Sequence, residues 1–98
     1  MSIDWESKST NFTAAAGKGY FCDTTSNTIE VTLPSPTIQD TIRFLDVAGT
    51  FDTYNLTVLV GSSKIQGDGS SDLIVSTERA GFALVYYNTA QGWLLTDV

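Results

Sequence analysis

The chain is predicted to fold as an all-β protein, a single small antiparallel β-sandwich or barrel of about eight or nine short strands. Three observations lead there. Apolar and polar residues alternate with a period of two in several short runs, which places successive side chains on opposite faces of a sheet. Clusters of Gly, Asp, Asn, Ser and Thr interrupt those runs about every ten residues. No window sustains the spacing of an amphipathic helix.

The stretch Gly17–Pro34, GKGYFCDTTSNTIEVTLP, reads as a hairpin. A short apolar run (Tyr20, Phe21, Cys22) leads into the turn residues Asp23 to Asn27, and then Ile29, Val31 and Leu33 alternate with Thr28, Glu30 and Thr32. Pro34 ends the second strand because it has no N–H for a ladder. Residues 1–10 are read as an N-terminal leader, docked by Trp5, and residues 11–98 as the single β domain. Within it, Asn11–Ala16 is a short strand, Gly17–Gly19 a tight turn, and Pro34–Thr37 an extended loop. Further strands are expected at Thr41–Val47, Leu56–Val60, Leu73–Thr77, Phe82–Tyr87 and Trp93–Thr96. Ile65 stands alone among polar residues as an anchor into the core. Internal repeats are absent, so a solenoid is not expected. The expected core is Phe12, Tyr20 or Phe21, Ile29, Val31, Leu33, Ile42 or Phe44, Leu56, Val58, Ile65, Leu73, Val75, Leu84 and Trp93.

Composition narrows function by exclusion. A chain of 98 residues buries roughly 60–70% of its unfolded surface, and 42% apolar residues suffice to fill so small a core. The net charge of −6, with five scattered bases, argues against nucleic acid as a partner, because phosphate neutralisation needs clustered Lys and Arg. Histidine is missing altogether, which removes the commonest general base and metal ligand. The acids sit mostly in turns, where Asp is expected for turn chemistry alone, so no catalytic residue is assigned and the protein is read as not an enzyme. The loop Asp68-Gly69-Ser70-Ser71-Asp72 superficially resembles a calcium loop but lacks the further ligands of one. No metal or cofactor is expected. Cys22 is the single cysteine and reads as a buried, inert thiol. No apolar run approaches the roughly 18 residues that cross a bilayer, and MSIDWESKST is not a signal peptide, so synthesis in the cytoplasm and no membrane partner are expected. The two glycosylation sequons, at Asn11 and Asn55, are then coincidental. Tyr54, Tyr86, Tyr87 and Trp93 are candidate stacking residues for a glycan, because aromatic faces pack on pyranose rings.

The succession NFTAAAGKGYFCDTT, TIEVTLP, DVAGTF, NLTVLVGSSKIQG and LVYYNTAQGW, from Asn11 to Trp93, resembles a small β domain of tailed-phage virion structural proteins, of the tail-fibre and appendage type found in cyanophage-like phages. Gln39-Asp40 stands where that family usually has Gly-Asp. The resemblance implies a non-enzymatic structural protein of the virion that acts through contacts with other virion proteins and through homo-oligomerisation, with a trimer favoured. A copy standing alone after a short leader raises two alternatives, a capsid decoration or adaptor protein. A carbohydrate-recognising receptor-binding module is the third.

Overall fold

The computed structural model describes residues 4–96. Among them are nine strands and no helix: β1 (Asp4–Lys8), β2 (Phe12–Thr13), β3 (Lys18–Cys22), β4 (Ile29–Thr32), β5 (Thr41–Asp46), β6 (Leu56–Leu59), β7 (Leu73–Val75), β8 (Gly81–Asn88) and β9 (Gly92–Thr96). They form a five-stranded sheet in the order β1-β3-β5-β8-β9 and a four-stranded sheet in the order β2-β4-β6-β7. The first six strands alternate between the two sheets. The chain therefore winds as a coil, laying one strand on each sheet per turn.

This winding overturns the antiparallel expectation. β1 with β3, β3 with β5, β2 with β4 and β4 with β6 all pair parallel, and only the pairs β5–β8, β6–β7 and β8–β9 are antiparallel. Gly17–Pro34 is not a hairpin, because β3 and β4 belong to different sheets. The reason lies in the turns. Asp23 accepts hydrogen bonds from the Thr25 N–H and hydroxyl, which closes a local Asx turn. Asn27 Nδ2 then donates to Ser9 O at 3.3 Å, one winding earlier, and the Thr24 and Thr50 hydroxyls meet at 2.6 Å, one winding later. Each turn is bonded to its neighbours in the stack rather than reversing its own strand. Backbone bonds Asp23 N to Lys8 O and Val47 N to Cys22 O carry the same stacking through the corners. A coil of this kind needs no sequence repeat, so the expectation against a solenoid-like winding fails for the first six strands.

Residues 4–8 are an edge strand of the larger sheet rather than a leader outside it. The first three residues of the expected leader lie outside the described residues. Trp5 does dock, stacking on Phe21 with ring centroids 4.7 Å apart.

One core draws on both sheets. Tyr20, Ile42, Phe44 and Leu84 come from the larger sheet, and Ile29, Val31, Leu56 and Val58 from the smaller, all of them buried. Of the expected alternatives, Tyr20 is the inward residue and Phe21 the outward one, whereas Ile42 and Phe44 both point inward, as residues two apart in a strand must. Phe12, Leu33, Leu73 and Val75 pack against the core while partly exposed. Phe51, in the turn before β6, is fully buried although no alternation marks it. Ile65 is buried as expected and bridges to both Asp68 and Trp93.

Candidate functional site

The carboxylates hold turns. Asp46, at the inward end of β5, is 2% exposed and accepts backbone N–H groups from Gly49 (2.9 Å), Thr50 (3.1 Å), Phe51 (3.0 Å) and Arg79 (2.9 Å). Burial alone would raise its pKa, but these four donors outweigh it and hold the carboxyl below its ordinary value. Asp40 caps Thr37 N–H, Asp72 caps Val60 N–H, and Asp68 accepts both the N–H and hydroxyl of Ser70. Asp68 and Asp72 thus serve separate backbone partners. No group of three or more His, Cys, Asp or Glu that could hold a metal ion occurs among the described residues.

The candidate stacking aromatics do not share a face. Tyr86 and Trp93 lie in the core, packed edge to face with centroids 5.4 Å apart, so neither ring is presented to a ligand. Tyr54 and Tyr87 are exposed, but Tyr54 precedes β6 of the smaller sheet and Tyr87 lies on β8 of the larger. Alternation in β8 puts Tyr86 on the same face as Leu84, which the sequence already assigns to the core, and Tyr87 on the other, so the signal against Tyr86 as a stacking residue was legible.

What the structure does bring together is an apolar outer face on the five-stranded sheet. Register aligns Trp5, Gly19, Arg43, Ala83 and Thr96 in one cross-strand row and Ser7, Phe21, Leu45 and Gly81 in the next. Thr41, Val85 and Leu94 form a third. Arg43 is the only charged residue in these rows. The Trp5 indole lies directly over Gly19, where a Cβ would sit 2.6 Å from the ring. Glycine is required there because no side chain leaves room for the indole. A cleft of about 280 Å³ opens on this face between Trp5, Arg43, Leu45 and Gly81, whereas a second of about 150 Å³, among Val75, Ala80, Phe82 and Leu95, lies on the core side between the two sheets.

The margin of this face is charged. On the opposite side of β1, Lys18 Nζ meets Glu6 at 2.8 Å and Asp4 at 3.5 Å, and Lys8 Nζ meets Glu6 at 3.6 Å. The hydrogen bond from Lys18 is the main reason that the Glu6 pKa is lowered, and the same bond raises that of Lys18. Asp4 is exposed and Glu6, Lys8 and Lys18 are half-buried with their charges reaching solvent, so the pairs order the edge more than they stabilise the fold.

No family model matches the chain, and a search of curated proteins likewise returns no match.

Proposed function

We propose that this chain is a non-enzymatic structural protein of a tailed-phage virion, a tail-fibre or appendage component that works through protein–protein contacts and homo-oligomerisation. The observation that carries this reading is the outer face of the five-stranded sheet. Trp5, Phe21, Leu45, Val85 and Leu94 stand there with one charge among them, a composition suited to burial against another protein. Of the acids described above, Asp40, Asp46, Asp68 and Asp72 accept backbone N–H groups, and Asp4 and Glu6 pair with Lys18. The two sheets, enclosing one core, are read as a sandwich, a rigid mount for such a surface. Decoration or adaptor roles would use the same face with a different stoichiometry.

Particle fractionation tests the reading. Virus-sized particles from a lysate that contains the protein are banded on a density gradient and analysed by peptide mass spectrometry. Peptides of this chain should co-sediment with capsid and tail peptides at a fixed ratio. Recovery confined to the soluble fraction would sink the proposal.

A further inference from the structure

We infer that β1 is a self-pairing edge: two copies of the chain join antiparallel along Asp4–Lys8, about a two-fold axis through Glu6, so that one sheet runs through both. This rests on the self-association half of the reading above and adds the surface, the symmetry and the register.

The backbone fixes which groups are offered. Lys8 O accepts the Asp23 N–H at 2.8 Å, so the peptide groups of Lys8 face β3. Because successive residues of a strand point their N–H and C=O groups to opposite sides, those of Asp4 and Glu6 also face β3, while those of Trp5 and Ser7 face outward. β1 is the last strand on its side of the sheet. The opposite margin is already closed. Trp93 N donates to Lys64 O at 2.7 Å, Gln66 N to Trp93 O at 2.9 Å, and the Gln66 side chain accepts Leu95 N–H, so residues 64–66 cover β9. β2 and β7 have two and three residues, too few for a ladder of comparable length. Thus, among the described residues, β1 is the longest strand edge left open.

The side chains then select a second copy as the occupant. With Glu6 opposite Glu6, the outward residues Trp5 and Ser7 of one copy face Ser7 and Trp5 of the other as hydrogen-bonded pairs. The remaining positions are non-hydrogen-bonded pairs, in which side chains approach most closely. They put Asp4 of each copy opposite Lys8 of the other, two complementary pairs on one face. The opposed Glu6 residues each already hold a Lys18 ammonium at 2.8 Å. Sliding the register to centre on Trp5 would set Asp4 against Glu6, like against like. Parallel pairing in register would set Asp4 against Asp4 and Lys8 against Lys8. Charged edge residues ordinarily guard a strand against association. Here their order along β1, acid at one end and base at the other, makes the edge complementary to itself under two-fold symmetry and to little else. The pairing also brings the two Trp5 indoles together beside the axis on the apolar outer face, making that face continuous across both copies.

A charge-exchange experiment on the full chain tests this by light scattering at micromolar concentrations. The wild type should be a dimer. Asp4→Lys and Lys8→Asp each replace both complementary pairs by like-charge pairs, and each alone should weaken the dimer by about tenfold or more. Mixed in equal amounts, the two variants should regain dimer, because both contacts between positions 4 and 8 are again between opposite charges. Only folded chains can do so, which guards against loss by misfolding. Emission from Trp5 should change with the dimer fraction. A wild-type monomer throughout this range would overturn the inference together with the self-association reading. A trimer, or a dimer that neither variant weakens, would overturn the inference alone and leave self-association standing. Presence in the particle is read separately by fractionation.

Discussion

The Asp46 carboxylate accepts the backbone N–H of Arg79, 33 residues further along the chain, at 2.9 Å. Arg79 adopts a positive φ of 62° to present that N–H, and its guanidinium reaches back to Val47 O at 2.8 Å. One side chain thus ties the turn after β5 to the turn before β8. Replacing Asp46 by Ala strands four backbone donors, each costing about 1–3 kcal/mol if it stays buried without a partner. We expect Asp46→Ala to lose roughly 3 kcal/mol or more, read from the urea midpoint.

The same carboxyl gives stability a pH dependence of known sign. Its folded pKa lies below its unfolded value of about 3.9, so its contribution is complete above that value and fades as pH falls through the lower folded one. Asp23 and Asp68, also lowered, act in the same direction at the surface. Denaturation between neutral pH and pH 2 should show the wild type losing stability in the acid limb, and Asp46→Asn should flatten that limb. An unchanged slope in the variant would refute the assignment.

Gly92 begins β9 with φ 72°, and a Cβ there would meet Lys64 O at 2.0 Å. The neighbour is backbone and cannot swing away. Gly92→Ala should cost roughly 3 kcal/mol or more, from left-handed strain plus displacement of residues 64–66. Amide exchange at Trp93 should accelerate, since its N–H donates to that Lys64 carbonyl.

Gly19→Ala has a different outcome, because its obstacle is the Trp5 side chain on an edge strand. The indole should leave its stack on Phe21 and its emission should shift to the red, at a cost of about 1 kcal/mol. Trp93, fully buried, supplies a constant background. Equal loss of signal from both tryptophans would mean global unfolding instead.

Cys22 is fully buried, and burial pushes its thiol pKa up to about 12. A disulfide reagent at neutral pH should modify it only as fast as the protein opens. Labelling that outpaces unfolding would contradict the packing of β3.

Several features were legible in the sequence for local reasons. The alternation of Ile29 to Val31 assigned faces correctly, and Ile65 among polar neighbours had to be an anchor; in Thr41 to Asp46 Ile42 and Phe44 stood as alternatives, although residues two apart share a face and both are buried. Pairing was not legible, since a period of two names the face of a residue but not the strand beside it. The turn at Asp23 to Asn27 was recognised from its residues, yet whether it reverses a strand or crosses to another sheet depends on Ser9 and Thr50, distant in sequence. Phe51 escaped because it is buried from a turn, and Asp46 because a carboxylate at a strand end looks the same whether solvated or bonded to four amides. The apolar outer face was likewise hidden: Trp5, Phe21 and Leu45 become neighbours only once the parallel register is set.

The winding of the chain also sets an order in time. In the larger sheet β1, β3 and β5 each wait for a partner made later: Glu6 for Tyr20, Tyr20 for Phe44, and Phe44 for Phe82. A chain emerging from the ribosome can lay down its first windings in sequence, one on the last, but Phe44 stays uncovered along β5 until β8 has been synthesised. Contacts so distant in sequence make for slow folding, and β8 and β9 are the last of the nine strands to be made. A chain cut before Gly81 would therefore keep its coil residues and lose Phe82, Leu84, Tyr86 and Trp93 from the core, leaving a strand edge and an apolar face open to aggregation.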